Sequence, residues 1–524
     1  MNNHASTPQS ELRKGFVTVD GKALHYTVTG SGPAVVLLHA SPCSSRVMLP
    51  LQQEWADDFT CIAFDLPGFG LSEPLDCMPL KTEDLADAIA GGMRALGLQK
   101  AALYGRHTGA GVAVEVAHHH PELVTMVLAD GFPIFATPYS EERLAEYLPP
   151  ITPSWEGGHL TWTWYRYREQ HLFWPWDRPD AAHRADADMP DPDFLHRGTV
   201  ELLQAADTYA ETYASAFRHA GLKMIGAVRP PVCYGNRPGD SQFKTIKLYP
   251  DTAWVHVFPR DPKAAAQEEL AILRQHPAPA APALPLASLQ TGRGYLQTAA
   301  GPMHLRICGT GAPLIFLPDL PGGIDLHLPE IEALAADHTV YALDPAGNAH
   351  SDLPANQSIS LSLWVDQLIE AMDVLGLDRA AFQATGTSAA LALALQEEAP
   401  GRVTDVNLIS PPLLDNPVDA AERYAPDISP TEDGSHLLRL WHHLRDQELW
   451  FPCFDKRPET IRRTEPRLSP DWLHQQAICL LQQPHLYRSI WQEVLAYPVR
   501  QKLQAGAPCS VTEKPEHRFF APHC

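Results

Sequence analysis

An imidazole, His107, stands at the centre of the run Gly105-Arg106-His107-Thr108-Gly109. The segment Ala101-Ala102-Leu103-Tyr104 before it reads as the end of a buried strand, and Gly109 through Val114 opens an alanine-rich helix. Small residues two before and two after the central one let a chain pass from strand to helix in one sharp turn. That turn pushes the central side chain out into a site. The side chain then stands beside the N–H groups of a helix start, where negative charge is favoured and positive charge is not. A neutral imidazole so placed acts as a nucleophile, or as a general base on water or on an acidic C–H. With no serine at the centre, this turn does not run serine acyl transfer.

An imidazole doing such work is normally oriented by a carboxylate. Asp130 ends the run Val127-Leu128-Ala129, and Asp240 lies beyond Pro231-Val232-Cys233-Tyr234-Gly235. An aspartate at a strand end often only caps the following turn. Cys43 has no evident partner base, so it is not taken as a thiol nucleophile. His118-His119-His120 are adjacent on a helix end and cannot face one ligand, so no metal site is assigned. His25 and His304 lie in hairpins and read as fold residues. No cofactor is expected.

Stepping outward, Ala34–Leu38, Thr60–Phe64, Ala101–Tyr104 and Val124–Ala129 are near-continuous apolar runs, as parallel strands buried on both faces require. A helical stretch, Thr82–Leu96, lies between two of them. This alternation predicts an α/β fold with mostly parallel sheets. The chain is then written twice. Lys14-Gly15-Phe16-Val17 returns 279 residues on as Arg293-Gly294-Tyr295-Leu296, and the same offset carries Asp65 to Asp344 and Leu96-Gly97-Leu98 to Leu375-Gly376-Leu377. The domains are read as 1–276, a Pro/Ala-rich extended linker over 277–290, and 291–524. By the repeat, Cys524 corresponds to about residue 247, so the second copy is expected to stop before the last strand and helix of the first. Its bare sheet edge would need cover, from the first copy or from a second chain, which leaves room for a homodimer.

With 524 residues, 45% hydrophobic and 19% charged, the composition is that of a globular protein. A net charge of −22 argues against nucleic acid as partner. Nine scattered cysteines suggest a reducing compartment. Met1–Lys14 lacks a signal-peptide core, and no apolar run is long enough to span a membrane. The expectation is a cytoplasmic protein with a small-molecule substrate.

Three motifs in order make the first copy resemble the α/β-hydrolase superfamily: Leu38-His39-Ala40-Ser41-Pro42, like its oxyanion loop; Phe64-Asp65-Leu66-Pro67-Gly68-Phe69-Gly70-Leu71-Ser72; and the His107 turn, in the place of the nucleophile elbow. The resemblance implies two tandem α/β-hydrolase-like domains with helical lids, the first lid over about 131–231. It implies an oxyanion hole from the backbone N–H groups of Ser41 and Thr108, a pocket that includes His39, and a catalytic acid just after one of two late strands: Asp130 matches the earlier position and is the expected partner of His107, and Asp240 lies near the later one. Of the lid's many aromatics, Trp162, Trp174 and Trp176 have no counterpart in the second copy and are the pocket candidates. The family's late histidine is missing: the loop after Ala253–Phe258 reads Pro259-Arg260-Asp261-Pro262, and His256 is expected to face the sheet packing. The second copy has Gly386 at the elbow centre and Pro318-Asp319 in the oxyanion loop, and is expected to be inert. Three readings follow: hydrolysis of a small apolar ester, lactone or related carbonyl compound at His107; a catalytically inactive tandem that binds a ligand or serves as a scaffold; or cofactor-free C–C cleavage or proton transfer.

Overall fold

The computed structural model describes residues 11–135, 138–284 and 292–519. The signal-peptide reading of residues 1–10 and the linker from 285 to 290 lie outside the described residues. The first sheet contains β1 (Arg13–Val19), β2 (Lys22–Thr29), β3 (Ala34–Leu38), β4 (Thr60–Phe64), β5 (Ala101–Arg106), β6 (Val124–Asp130), β7 (Val232–Asn236) and β8 (Trp254–Val257). Their order is β1-β2-β4-β3-β5-β6-β7-β8, antiparallel through β1, β2 and β4 and parallel from β4 onward.

Every residue of β3 and β4 is buried, because both faces of the sheet are covered. Side-chain alternation sorts the two faces. Val35, Leu37, Cys61, Ala63, Tyr104 and Leu128 meet Trp55, Leu270 and Leu273, which come from helices Leu49–Trp55 and Pro262–Leu273. Trp55 sets its ring edge-on to Tyr104 at 5.3 Å and donates its indole N–H to the Ala266 carbonyl at 3.0 Å. Phe64 points the other way, against Gly92 of helix Thr82–Ala95, which packs on helix Thr108–His119.

The second sheet contains β9 (Gly292–Thr298), β10 (Gly301–Cys308), β11 (Ala312–Leu317), β12 (His338–Leu343), β13 (Ala380–Thr385), β14 (Val403–Ile409) and β15 (Ser510–Thr512). Its order, β15-β14-β13-β11-β12-β10-β9, repeats that of β1 to β7 strand for strand. No counterpart of β8 follows among the described residues. The compact units are 1–152 with 163–286, and 153–162 with 287–524. The linker is not a free spacer where it is described: Ala34 N–H donates to the Pro279 carbonyl at 3.2 Å, and Ala281 N–H to the Gly32 carbonyl at 2.9 Å. No described helix is long and apolar enough to cross a membrane.

One buried carboxylate ties the loops of each sheet together. Asp65, just past β4, accepts from His25 Nδ1 at 2.8 Å, Leu71 N–H at 2.8 Å and Ser45 N–H at 2.6 Å. Asp344 repeats this with His304 Nδ1 at 2.7 Å and Ile324 N–H at 2.7 Å, so the two hairpin histidines do serve the fold. Burial pushes the Asp65 carboxyl up, but His25, His39 and the Ser45 amide together hold it below the usual carboxylate range. Asp65→Asn replaces an acceptor of three hydrogen bonds with a group that can satisfy fewer, and we expect a loss of about 3 kcal/mol in denaturant unfolding.

Candidate active site

The strand register brings the candidate groups to the C-terminal ends of the parallel strands, where sites on such sheets form. Leu38 lies opposite Gly105, Arg106 opposite Asp130, and Asp130 opposite Gly235. At the crest His107 adopts φ 49°, ψ −113°, a conformation costly for any residue with a Cβ and typical of functional turns. Its N–H donates to the Asp130 carbonyl at 2.9 Å, while its own carbonyl already accepts from Ala110 and Gly111, so the helix begins at once. The flanking glycines are forced. A Cβ on Gly105 would lie 2.2 Å from the Gly109 carbonyl oxygen, and one on Gly109 would lie 2.1 Å from that of Leu38.

The imidazole meets a carboxylate, and it is Asp240. His107 Nε2 lies 3.0 Å from Asp240 Oδ2, with the His107 side chain 28% exposed and that of Asp240 only 5%. Asp240 Oδ1 accepts from the Gln242 N–H at 2.8 Å, which fixes the carboxylate plane. Burial pushes the Asp240 carboxyl up; the His107 charge and hydrogen bond, with Arg106 and the Gln242 amide, override it and hold the group ionised below the usual range.

Asp130, the expected partner, is engaged elsewhere. Its Oδ2 accepts from Arg237 at 2.8 Å and from the Tyr104 hydroxyl at 3.2 Å, with Arg106 Nε at 3.7 Å. The reason is strand alternation: Asp130 shares a face of the sheet with Leu128 and Tyr104, the face covered by helix Pro262–Leu273. There Arg237 also binds Glu269 at 2.6 Å, so one guanidinium serves two buried carboxylates. Asp240 sits on the loop beyond β7, which curls back over the elbow.

The imidazole rests on Gly131, which has φ +62°; a Cβ there would lie 3.2 Å from His107 Cε1 and 3.4 Å from both ring nitrogens. Gly131→Ala therefore strains the backbone and tilts the ring off Asp240. We expect a fall in kcat of about tenfold to a hundredfold with KM little changed, read by steady-state kinetics.

His39 does not line a pocket. It is fully buried, donates from Nδ1 to the Ala40 carbonyl at 2.9 Å and accepts at Nε2 from Leu66 N–H at 2.9 Å. With both nitrogens used, and with burial holding it neutral, it braces the oxyanion loop against the loop after β4. Ser41 is buried with no hydrogen-bond partner for its Oγ among the described residues. Thr108 is the first residue of helix Thr108–His119, whose leading amides have no acceptor within the helix.

The second copy displays what such amides do. Asp319, the counterpart of Ala40, turns its carboxylate into the equivalent site. Its Oδ1 accepts from the Thr387 N–H at 3.0 Å and the Thr387 hydroxyl at 2.9 Å, while Oδ2 takes Arg518 at 2.8 Å. A Cβ on Gly386 would lie 2.4 Å from Asp319 Oδ1. The second elbow thus lacks a reactive side chain, and the protein's own anion fills it.

The lid tryptophans are not where the pocket reading put them. Trp162 is 36% exposed and belongs to the second compact unit. Trp174 and Trp176 pack on the buried ring of Tyr147 at 6.3 and 6.0 Å, and Trp176 Nε1 donates to the Tyr147 carbonyl at 3.1 Å. Half-buried, they pack on the lid's own buried tyrosine, which takes part of their aromatic area out of water. Cys43, with its Sγ 3.8 Å from the Tyr167 hydroxyl, is buried; burial foremost pushes its thiol up to about 12, so it is no thiolate. His256 is not packed into the sheet either: it is part-exposed on the edge strand β8, with Nε2 3.0 Å from Glu268. Among the described residues no group of His, Cys, Asp and Glu has metal-site geometry.

Residues 33–160 match the family model described as alpha/beta hydrolase fold. The 2-(acetamidomethylene)succinate hydrolase of Mesorhizobium japonicum is 38% identical over 119 residues, 23% of this chain and 41% of that protein. Epoxide hydrolase 1 of Caenorhabditis elegans is 27% identical over 225 residues, 42% of this chain and 51% of that protein. The chain thus spans about half or less of these relatives' length. Among solved structures, E-2-(acetamidomethylene)succinate hydrolase superposes with a TM-score of 0.38 at 22% identity, covering 51% of this chain and 99% of that one.

Proposed function

We propose that the first copy, whose residues 33–160 match the alpha/beta hydrolase fold model, is a hydrolase in which His107, oriented by Asp240, activates water against a small ester, lactone or related carbonyl compound. The observation that carries this reading is the 3.0 Å contact between the elbow imidazole and a buried, ionised carboxylate. In the family's layout serine occupies the elbow and histidine arrives later in the chain. Here both expected residues are missing, and one imidazole on the elbow reaches the acid directly.

With Nε2–H donating to Asp240, Nδ1 carries the lone pair, and the ring serves as a general base. Water loses a proton to His107 as its oxygen attacks the carbonyl carbon. The Ser41 and Thr108 amides receive the developing oxyanion, as the Thr387 amide receives Asp319 in the second copy. The imidazolium, stabilised by Asp240, then returns the proton to the leaving group. No acyl-enzyme on a serine forms, since the central position of the elbow holds an imidazole and not a hydroxyl. The same base would serve proton abstraction from carbon.

A relative acting on 2-(acetamidomethylene)succinate supports including N-acyl enamines in the substrate search. The test is a panel of p-nitrophenyl esters, lactones and N-acyl enamines, run in ¹⁸O-water with wild type and His107→Gln. Turnover by wild type without a product burst, lost in the variant and with label entering the acid product, is the expected result. Equal turnover in the two proteins would sink the proposal, and no turnover in either would sink it and leave a binding protein.

A further inference from the structure

Arg166 sits in helix Gly158–Glu169 with 1% of its surface exposed. Its Nη1 donates to Gln170 Oε1 at 3.0 Å, but among the described residues Nε and Nη2 have no hydrogen-bond partner and no ion pair to a carboxylate is formed. The guanidinium lies over the ring of Trp176 at 4.4 Å and near that of Tyr147 at 5.7 Å. Aromatic faces attract such a cation, the more so when it is desolvated, but they supply no hydrogen-bond acceptor for its N–H groups. Burying a charge costs several kcal/mol, so the box alone does not explain it. Native proteins pair buried charges; an unpaired one with two free donors marks a place for an anion from outside.

The location connects it to the site. Tyr167, the next residue, reaches Cys43 beside the oxyanion loop. His171, one turn further along the chain, feels both the Arg166 charge and that of Arg106, the elbow residue before His107; after burial these are what keep it neutral, its pKa lowered to about 4. His171 Nε2 is also buried and without a hydrogen-bond partner among the described residues. Resting on the hydrolase reading above, we propose that Arg166 is a specificity-determining residue that binds a carboxylate of the substrate through Nε and Nη2, so that the substrate is an anion and not the wholly apolar compound the lid aromatics suggest. Nε and Nη2 are adjacent donors on one edge of the guanidinium, the geometry that takes a carboxylate bidentately.

Binding separates this proposal from the catalytic one. Acetate, succinate and benzoate, and in a separate arm inorganic phosphate, are titrated into wild type, Arg166→Gln, Arg166→Lys and His107→Ala, with thermal melting and tryptophan fluorescence as readouts. We expect at least one carboxylate to raise the melting temperature of wild type and of His107→Ala. Affinity should fall about tenfold or more in Arg166→Gln and only partly in Arg166→Lys. The ligand-free Arg166→Gln protein should melt no lower than wild type, since it loses an unpaired buried charge; a merely structural arginine would give the opposite. Equal carboxylate affinity in Arg166→Gln, phosphate binding in preference to every carboxylate, or no carboxylate effect on wild type overturns the assignment, and none of these outcomes touches His107.

Discussion

Replacing His107 with alanine brings turnover to the background rate, a loss of about a thousandfold or more in kcat. The expectation follows from how little else the site contains. The centre of the elbow carries no hydroxyl, the loop after β8 carries no histidine, His39 has spent both ring nitrogens on backbone groups, and the Cys43 thiol is buried and protonated. The second copy offers no rescue, because Asp319 holds its oxyanion position and Gly386 stands at its elbow centre. Binding should change far less than kcat, since the substrate keeps its oxyanion amides. The variant should stay folded: the turn is held by backbone bonds and by Gly105 and Gly109, so alanine inherits the strain that histidine already bears. Stopped assays on matched, melt-checked preparations read this out.

The second large effect belongs to Asp240. Asp240→Asn preserves the shape of the contact but lets the side chain present an amide N–H to the ring, which favours the wrong tautomer, and it removes the charge that stabilises the imidazolium. The expected loss is about a hundredfold to ten-thousandfold in kcat, with Asp130→Asn affecting stability more than rate. The stability consequence has a definite sign. A carboxyl held below its unfolded value of about 3.9 contributes stability that is fully present above that pH and disappears as the pH falls through the lower folded value. The gap in unfolding free energy between wild type and Asp240→Asn should therefore be constant near neutrality and close only in acid below about pH 4. A rate unchanged in Asp240→Asn alongside a collapsed rate in Asp130→Asn would restore the earlier assignment.

Much of this architecture is legible in the residues. Ala34–Leu38 and Thr60–Phe64 are strands to the residue, because unbroken apolar runs suit a sheet covered on both faces. The elbow follows from two glycines whose Cβ atoms would strike backbone. The choice between Asp130 and Asp240 was harder. Asp130 ends β6 and Asp240 follows β7 on its loop, and only the register of Asp130 beside Arg106, on the face of Tyr104, turns its side chain away from the crest. Arg237 and Glu269, which engage it, carry no local signal of that role. Asp319 in place of Ala40 was visible, but its partner Arg518 lies nearly two hundred residues on. Nothing in the residues around Arg166 marks it out; its isolation is a property of the packed lid. Periodicity reports which residues are inside, and it does not report which inside charges lack a partner.

The central claim is that a single elbow imidazole on Asp240 supplies the base. Its most direct test is the turnover of His107→Ala titrated with free imidazole, on whichever substrate wild type hydrolyses. The account predicts a variant inactive alone whose rate rises with imidazole concentration and saturates as the vacated space beside Asp240 fills. His107→Ala that turns over at the wild-type rate without imidazole would contradict it.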